Sequence, residues 1–364
     1  MSENIKKVTR NANMDVLRIL SMFLIVFLHS IDHSGVLESV APGTTMYYYV
    51  YFGYCISQVC VNCFVLLSGY FMIESKFRPS KLVHLWIEVV FYSLVIRIVF
   101  IVTGMQAFSI GSILSCFVPV ITGRYWFITI YFGLYLLSPF LNKAIKAMNK
   151  KQFSALVVIL FLLSSVLSSL HPKIAGMNSG GGWGLAWFVV LYCFAAWVRL
   201  YYKPNNKILR KVILLFTIPI FIVFMLFLSN VMNIGILKTI VLHWYSYESI
   251  PAIAMSMLLL LIYANVDVKN AVCTKIITAL APLTLGVYLI HAHANVSPWS
   301  WEVINLPKYI GEVFFPFVQI FSVVAIFALC AVIDYIRNLL FKHLKFEKIL
   351  KLIDSKIIEF IGLN

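Results

Sequence analysis

Arg18 and His29 stand eleven positions apart in the stretch Asp15-Val-Leu-Arg18-Ile-Leu-Ser-Met-Phe-Leu-Ile-Val-Phe-Leu-His29. On a helix that interval is roughly 1100° of rotation, about 20° from three whole turns, and roughly 16 Å of rise, so both lie on one face. An imidazole titrates near neutrality and can accept and return a proton, while a guanidinium stays charged and holds anions through forked hydrogen bonds. Only Ser21 is polar between them. Taken singly, Arg18 could snorkel to lipid phosphates and His29 could satisfy an interhelical hydrogen bond. On a shared stripe the two read as a site.

Ionisable groups in apolar spans are costly and usually face a cavity or a partner. Besides Asp15, the others here are His84, Glu88, Arg97, Arg124, Glu248, His291 and His293. Arg97, Glu248 and His291 are expected at roughly the depth of His29, where a carboxylate could orient an imidazole and a guanidinium could stabilise an oxyanion. The alternatives are that Glu248 only pairs with Arg97 and that His291 only caps a helix end. His84 and Glu88, four apart, read as an intrahelical pair. Arg124 is either a boundary anchor or a substrate contact. Cys60 and Cys63 have C-x-x-C spacing without a second ligand pair, so they read as structural and no metal is expected.

The elements that must position these groups are membrane helices. Of 364 residues, 62% are hydrophobic and 12% charged, against about half apolar and a quarter charged in soluble domains. A soluble enzyme is excluded. The net charge of +15 comes without a contiguous basic face or an aromatic RNA-binding signature, so no nucleic acid is expected. Hydropathy and breakers predict an all-α polytopic bundle of about ten crossings: 14–33, 47–73, 82–103, 124–141, 152–170, 184–200, 208–229, 247–264, 276–295 and 312–336. Asp15 and Arg18, with no A-x-A site following His29, make the first a retained helix rather than a cleaved signal.

Basic residues crowd alternate loops, at Lys6–Arg10, Lys76–Lys81, Lys143–Lys151, Arg199–Lys211, Lys269–Lys275 and Arg337–Lys356, while the others hold only Lys173, Lys238 and Lys308. That asymmetry predicts both termini in the cytoplasm. Residues 1–13 are then an N-terminal segment, 14–337 the transmembrane domain, and 338–364 a basic amphipathic tail on the inner leaflet. Trp183, Trp244, Tyr245, Tyr247, Trp299 and Trp301 are expected in an outer aromatic belt. The apolar stretch Ala107–Thr122 is too short for a span and reads as re-entrant or interfacial.

The Arg-x10-His helix preceded by Asp15 in MDVLRIL resembles the first helix of the membrane-bound acyltransferase family 3. So do CFVLLSGYFM (Cys63–Met72), GRYWFITIYFGLYLLSPFLN (from Gly123) and TLGVYLIHAH (from Thr284), in that order. GGGWGLAWFVVLYCFAAWVRL resembles the subgroup that O-acetylates surface polysaccharides. The family's cytoplasmic Arg-x-x-Arg stands here as Arg78-Pro-Ser-Lys81, which keeps the charge but loses the second fork.

The resemblance implies an integral O-acyltransferase in the bacterial cytoplasmic membrane. It would move an acyl group, expected to be acetyl, from acetyl-CoA to a hydroxyl of a surface glycan or its lipid-linked precursor. On that reading Arg18, Lys76, Arg78 and Lys81 hold the CoA phosphates at the inner mouth. His29, with Arg97, Glu248 and His291 as candidate partners, does the chemistry. The imidazole could act as general base or carry the acyl group covalently, and the sequence leaves both routes open. Many relatives carry an extracytoplasmic hydrolase-like domain. This chain ends shortly after its last span, so either the membrane part or a separate extracytoplasmic partner is expected to complete transfer. The alternative function is a transporter or flippase for a polysaccharide unit, although neither repeated halves nor broken helices are evident in the sequence.

Overall fold

The computed structural model describes residues 11–170, 180–205 and 207–344, and every regular element among them is helical. Ten helices track the ten expected spans: α1 (Ala12–Asp32), α2 (Thr45–Met72), α3 (Pro79–Val102), α4 (Trp126–Ala147), α5 (Lys150–Leu170), α6 (Leu185–Tyr201), α7 (Ile208–Val231), α8 (Ile250–Tyr263), α9 (Ala271–His291) and α10 (Phe315–His343). Eight are long and apolar enough to cross a membrane, and α6 and α8 are shorter apolar helices of 17 and 14 residues. The chain is a multi-pass membrane protein. Large apolar side chains stay exposed along α3, α7 and α10, including Ile98, Phe216, Phe317 and Phe321. In water such a surface would drive association; in a bilayer it is the lipid face.

The ends of the helices follow their capping residues. Asn11 accepts from the backbone N–H groups of Asn13 and Met14 to start α1. Ser249 caps α8 ahead of Pro251, so this helix begins later than the hydropathy suggested and leaves Trp244–Glu248 as a turn. Asn270 caps α9. That helix is interrupted by a 3-10 turn at Ala281–Leu283 around Pro282, which corrects the expectation of unbroken helices. Irregular backbone at membrane depth is tolerated where it lines a cavity, and Ala281 and Pro282 do so.

Helix α1 is the axis of the bundle, in contact with α2, α8, α9 and α10. Its Met14, Leu17, Val26 and Ile31 are buried. Helices α3 and α10 are joined by an ionic network that the sequence reading did not foresee. Arg337 donates to Asp334 from Nε (3.0 Å) and Nη2 (2.7 Å), and to Glu88 from Nη1 (2.6 Å). Tyr92 Oη and Asn338 Nδ2 also donate to Asp334, at 2.6 and 3.1 Å. The expected His84–Glu88 pair is present at 3.4 Å but is secondary to Arg337. Arg337, counted from sequence among the inner-side basic residues at the end of the transmembrane domain, is only 3% exposed. Of that tail, Asn338–His343 continue α10, and residues 345–364 lie outside the described residues.

Gly286 on α9 is the contact point that lets α10 approach, because a side chain there would run into Asp334. Gly286→Ala is therefore expected to destabilise the protein by about 1–3 kcal/mol through overpacking. A lowered thermal midpoint in detergent would register it, and an unchanged midpoint would mean the helices separate freely.

The aromatic belt also needs correction. Tyr245, Tyr247 and Trp301 are buried, and only Trp183 and Trp299 of the six are exposed large aromatics. Period and depth locate a ring along the membrane normal but not around the bundle.

Candidate functional site

A cavity of about 560 Å3 runs beside α1. Arg18 lines one end with Ser75, Lys81 and His84, and Asp32 and His33 line it further along the same helix. Arg18 and His33 are separated by about 22 Å of helical rise, comparable to most of a hydrocarbon core. The opposite walls come from α2 (Cys60, Phe64, Ser68), the start of α4 (Arg124 to Ile128) and the broken part of α9. Arg18 and His29 therefore look into the same space.

His29 sits within this cavity as the middle member of three imidazoles. Its ring stacks on that of His33, centroids 4.1 Å apart and 17° from parallel. Its Nδ1 is 3.1 Å from Nε2 of His291, whose own Nδ1 is 2.6 Å from the Val287 carbonyl. These contacts fix the protons of the neutral rings. A carbonyl can only accept, so His291 carries its proton on Nδ1 and presents a lone pair at Nε2. His29 must then donate from Nδ1, which leaves the lone pair on its Nε2. That atom has no hydrogen-bond partner among the described residues, and it is the atom suited to take a proton.

The order Val287 carbonyl, His291, His29 has the logic of an orienting group, an intermediary and a base. His33 is anchored in turn by its Nδ1, 3.2 Å from Ser297 Oγ. The sequence reading missed His33, although it lies four residues after His29 and hence on the same face.

Other expected site residues are placed differently. Arg97 uses its guanidinium on the side chains of Ser112 (3.1 Å from Nε) and Gln106, and Gln106 is bonded to Asn295. Glu248 is fully buried and accepts from Ser168. Neither lines the cavity, and no Arg97–Glu248 pair forms among the described residues. Depth, which grouped them with His29, is shared by every helix in the bundle; azimuth separates them. Arg124, not Arg97, lines the cavity, with Nη2 donating to Ser115 at 2.8 Å. His293 is buried outside the cavity, its Nδ1 accepting from the Asn295 backbone N–H at 3.1 Å.

At the other end Arg18 donates to Asp15 at 2.7 Å. Lys81 lines the cavity beside it, whereas Lys76 and Arg78 are exposed outside the lining. The Arg78 backbone is nonetheless tied to the wall, because Tyr135 Oη donates to its carbonyl (3.1 Å) and accepts from its N–H (3.2 Å). Cys60 borders the cavity and Cys63 is buried behind it.

A model of the acyltransferase domain of acyltransferase family 3 matches residues 11–335. Searches of curated proteins and of solved structures give no match. The matched range takes in α1 with its Arg18 and His29, the whole cavity wall and all but the end of α10, and so this chain belongs to acyltransferase family 3, as an acyltransferase built in the membrane.

Proposed function

We propose that the protein is an O-acyltransferase, with acetyl the expected group, that takes its acyl group from acetyl-CoA at the Arg18 mouth and delivers it to a hydroxyl of a surface glycan or its lipid-linked precursor. The single observation that carries this reading is the continuous cavity joining a cationic mouth to an imidazole whose free nitrogen is defined by its neighbours. The basic-loop asymmetry supports a cytoplasmic mouth, where acetyl-CoA would be available, in the bacterial inner membrane that the resemblance implies. Arg18 and Lys81 supply charge-assisted hydrogen bonds for the nucleotide phosphates. The pantetheine arm, comparable in length to the interval between Arg18 and His29, brings the thioester to the imidazole.

The acceptor oxygen then attacks the thioester carbon while its proton passes to His29 Nε2. The C–S bond breaks, and the same proton moves from the imidazolium to the departing thiolate, leaving ester and CoA thiol. Arg124, which lines the same cavity, is the candidate for stabilising charge on the tetrahedral oxygen. A transporter would need the broken α9 to move. The family membership favours the chemical reading.

The test is release of CoA thiol by purified protein with and without an acceptor glycan, using acetyl-CoA as donor. Thiol release that requires both substrates supports the reading, and transport of a glycan without acetyl-CoA consumption would overturn it. Within that assay Arg18→Gln is expected to raise the KM for acetyl-CoA on the order of tenfold by removing a charge-assisted contact. The difference from the parent protein should shrink as salt is raised, since the interaction at the mouth is partly screened. An acetyl-CoA KM that does not move would take Arg18 out of the donor site.

A further inference from the structure

Beyond His29 the cavity changes character. Trp126 lies against Trp183 with ring centroids 4.3 Å apart, and against Tyr247 at 6.4 Å and 21° from parallel. Trp183 and Tyr247 are themselves 5.6 Å apart. All three line the cavity, together with Arg124, Asp32 and His33. They form one aromatic surface with charged groups at its edge.

The surface is assembled by local devices. Trp126 opens α4, so its position follows from the helix. Asn62, fully buried on α2, donates from Nδ2 to the Tyr247 carbonyl (2.8 Å) and accepts from the Trp187 indole at Oδ1 (3.0 Å), which fixes the turn carrying Tyr247. Gly180, Gly181 and Gly182 all have positive φ, at 71°, 75° and 91°, a run of left-handed residues open mainly to glycine. A side chain on Gly182 would collide with Tyr247. That turn brings Trp183 over the cavity while leaving it 50% exposed. The indole N–H groups of Trp126 and Trp183 have no acceptor among the described residues.

We infer that this aromatic surface is the acceptor subsite and that it takes a pyranose ring. A pyranose has an apolar C–H face, which suits an aromatic plane, and a rim of hydroxyls, which suits indole N–H, guanidinium, carboxylate and imidazole partners. A lipid tail would use the rings but offer no hydrogen-bonding groups to the polar rim of Arg124, Asp32 and His33. The inference rests on the reading of the protein as an acyltransferase with a glycan acceptor and adds where the sugar sits. It also has the acceptor enter from the end of the cavity opposite Arg18, so that donor and acceptor meet at His29 from different sides.

The test uses protein in nanodiscs, free of glycoside detergents, with radiolabelled acetyl-CoA and the methyl glycosides of glucose, galactose, mannose and N-acetylglucosamine as acceptor probes. At least one glycoside should be acetylated. Trp183→Ala, a change at an exposed loop position, should raise the KM for that sugar on the order of tenfold, the scale of losing one aromatic contact and its buried area. The KM for acetyl-CoA should stay within twofold. Trp183→Phe should recover most of the loss, and Trp126→Ala should repeat it. Trp299→Ala, an exposed aromatic outside the cavity, is the control and should change neither constant.

A sugar KM unmoved by Trp183→Ala and Trp126→Ala overturns the subsite. So does a shift in the acetyl-CoA constant instead, because the rings would then be holding the donor's adenine. Acetyl-CoA binding with none of the four glycosides accepted overturns the pyranose assignment alone. Failure to bind acetyl-CoA at all removes the acetyl-CoA donor reading beneath it.

Discussion

His29→Ala is expected to lower acyl transfer by about two to four orders of magnitude, the usual contribution of a positioned general base, while acetyl-CoA binding is retained. The cause is specific to one atom. The Val287 carbonyl and His291 direct the neutral imidazole protons so that His29 Nε2 carries the lone pair facing the cavity. Alanine removes that base without adding bulk to a helix whose neighbouring side chains are already buried. His291→Phe provides the graded counterpart. It keeps a ring in the wall but frees His29 to present either tautomer, so kcat should fall by roughly ten- to a hundredfold with little change in KM.

A rise in both KM values together, with a lowered thermal midpoint, would instead mean that His291 only holds α9 against α1. Single-turnover reactions quenched in acid separate the two chemical routes. A mass gain of one acetyl group on the parent protein, absent from His29→Ala, would identify a covalent intermediate; no gain leaves general base catalysis. Transfer at the parent rate by a folded His29→Ala protein would remove His29 from the mechanism.

The part of this site that could be read from the sequence is the part that lies along one helix. Arg18, His29 and, in hindsight, His33 share a face because 3.6 residues per turn fixes their relative azimuth within α1, whatever surrounds it. Between helices no such rule operates. Arg97 and Glu248 were expected at the right depth, but α3 turns Arg97 towards Gln106, and the turn before α8 directs Glu248 to Ser168. His291 was recoverable because it ends the helix that packs on α1. Trp183 and Tyr247 were expected in the outer aromatic belt but line the cavity, since an aromatic at the membrane boundary has the same sequence signature whether it faces headgroups or a cavity. The hydropathy of the spans marked the ten helices well, and its errors are local: α8 starts late at its Ser249 cap, and α9 breaks at Pro282.

The largest stability effect is expected at Arg337, which the sequence places among the inner-side basic residues at the end of the transmembrane domain. Its side chain is 2% exposed, against 5% for Glu88 and none for Asp334. Removing the guanidinium in Arg337→Met would leave two buried carboxylates without the cation they share, with the half-exposed His84 the remaining ionisable neighbour of Glu88. Breaking a buried ion pair in this way costs about 3–5 kcal/mol, comparable to a large fraction of the stability of an ordinary domain. The expected result is a strong loss of monodisperse protein after extraction, and a lowered thermal midpoint in whatever fraction survives.

Glu88→Gln should be milder, because Arg337 keeps its two contacts with Asp334 and the glutamine can still accept at the same place. Combining it with Arg337→Met should cost less than the sum of the two changes, since only one carboxylate is then left uncompensated. None of Glu88, Tyr92, Asp334 and Arg337 lines the cavity. The surviving protein should therefore keep the parent KM for acetyl-CoA. A shift in that constant at full stability would turn this network from a clasp between α3 and α10 into part of the donor site.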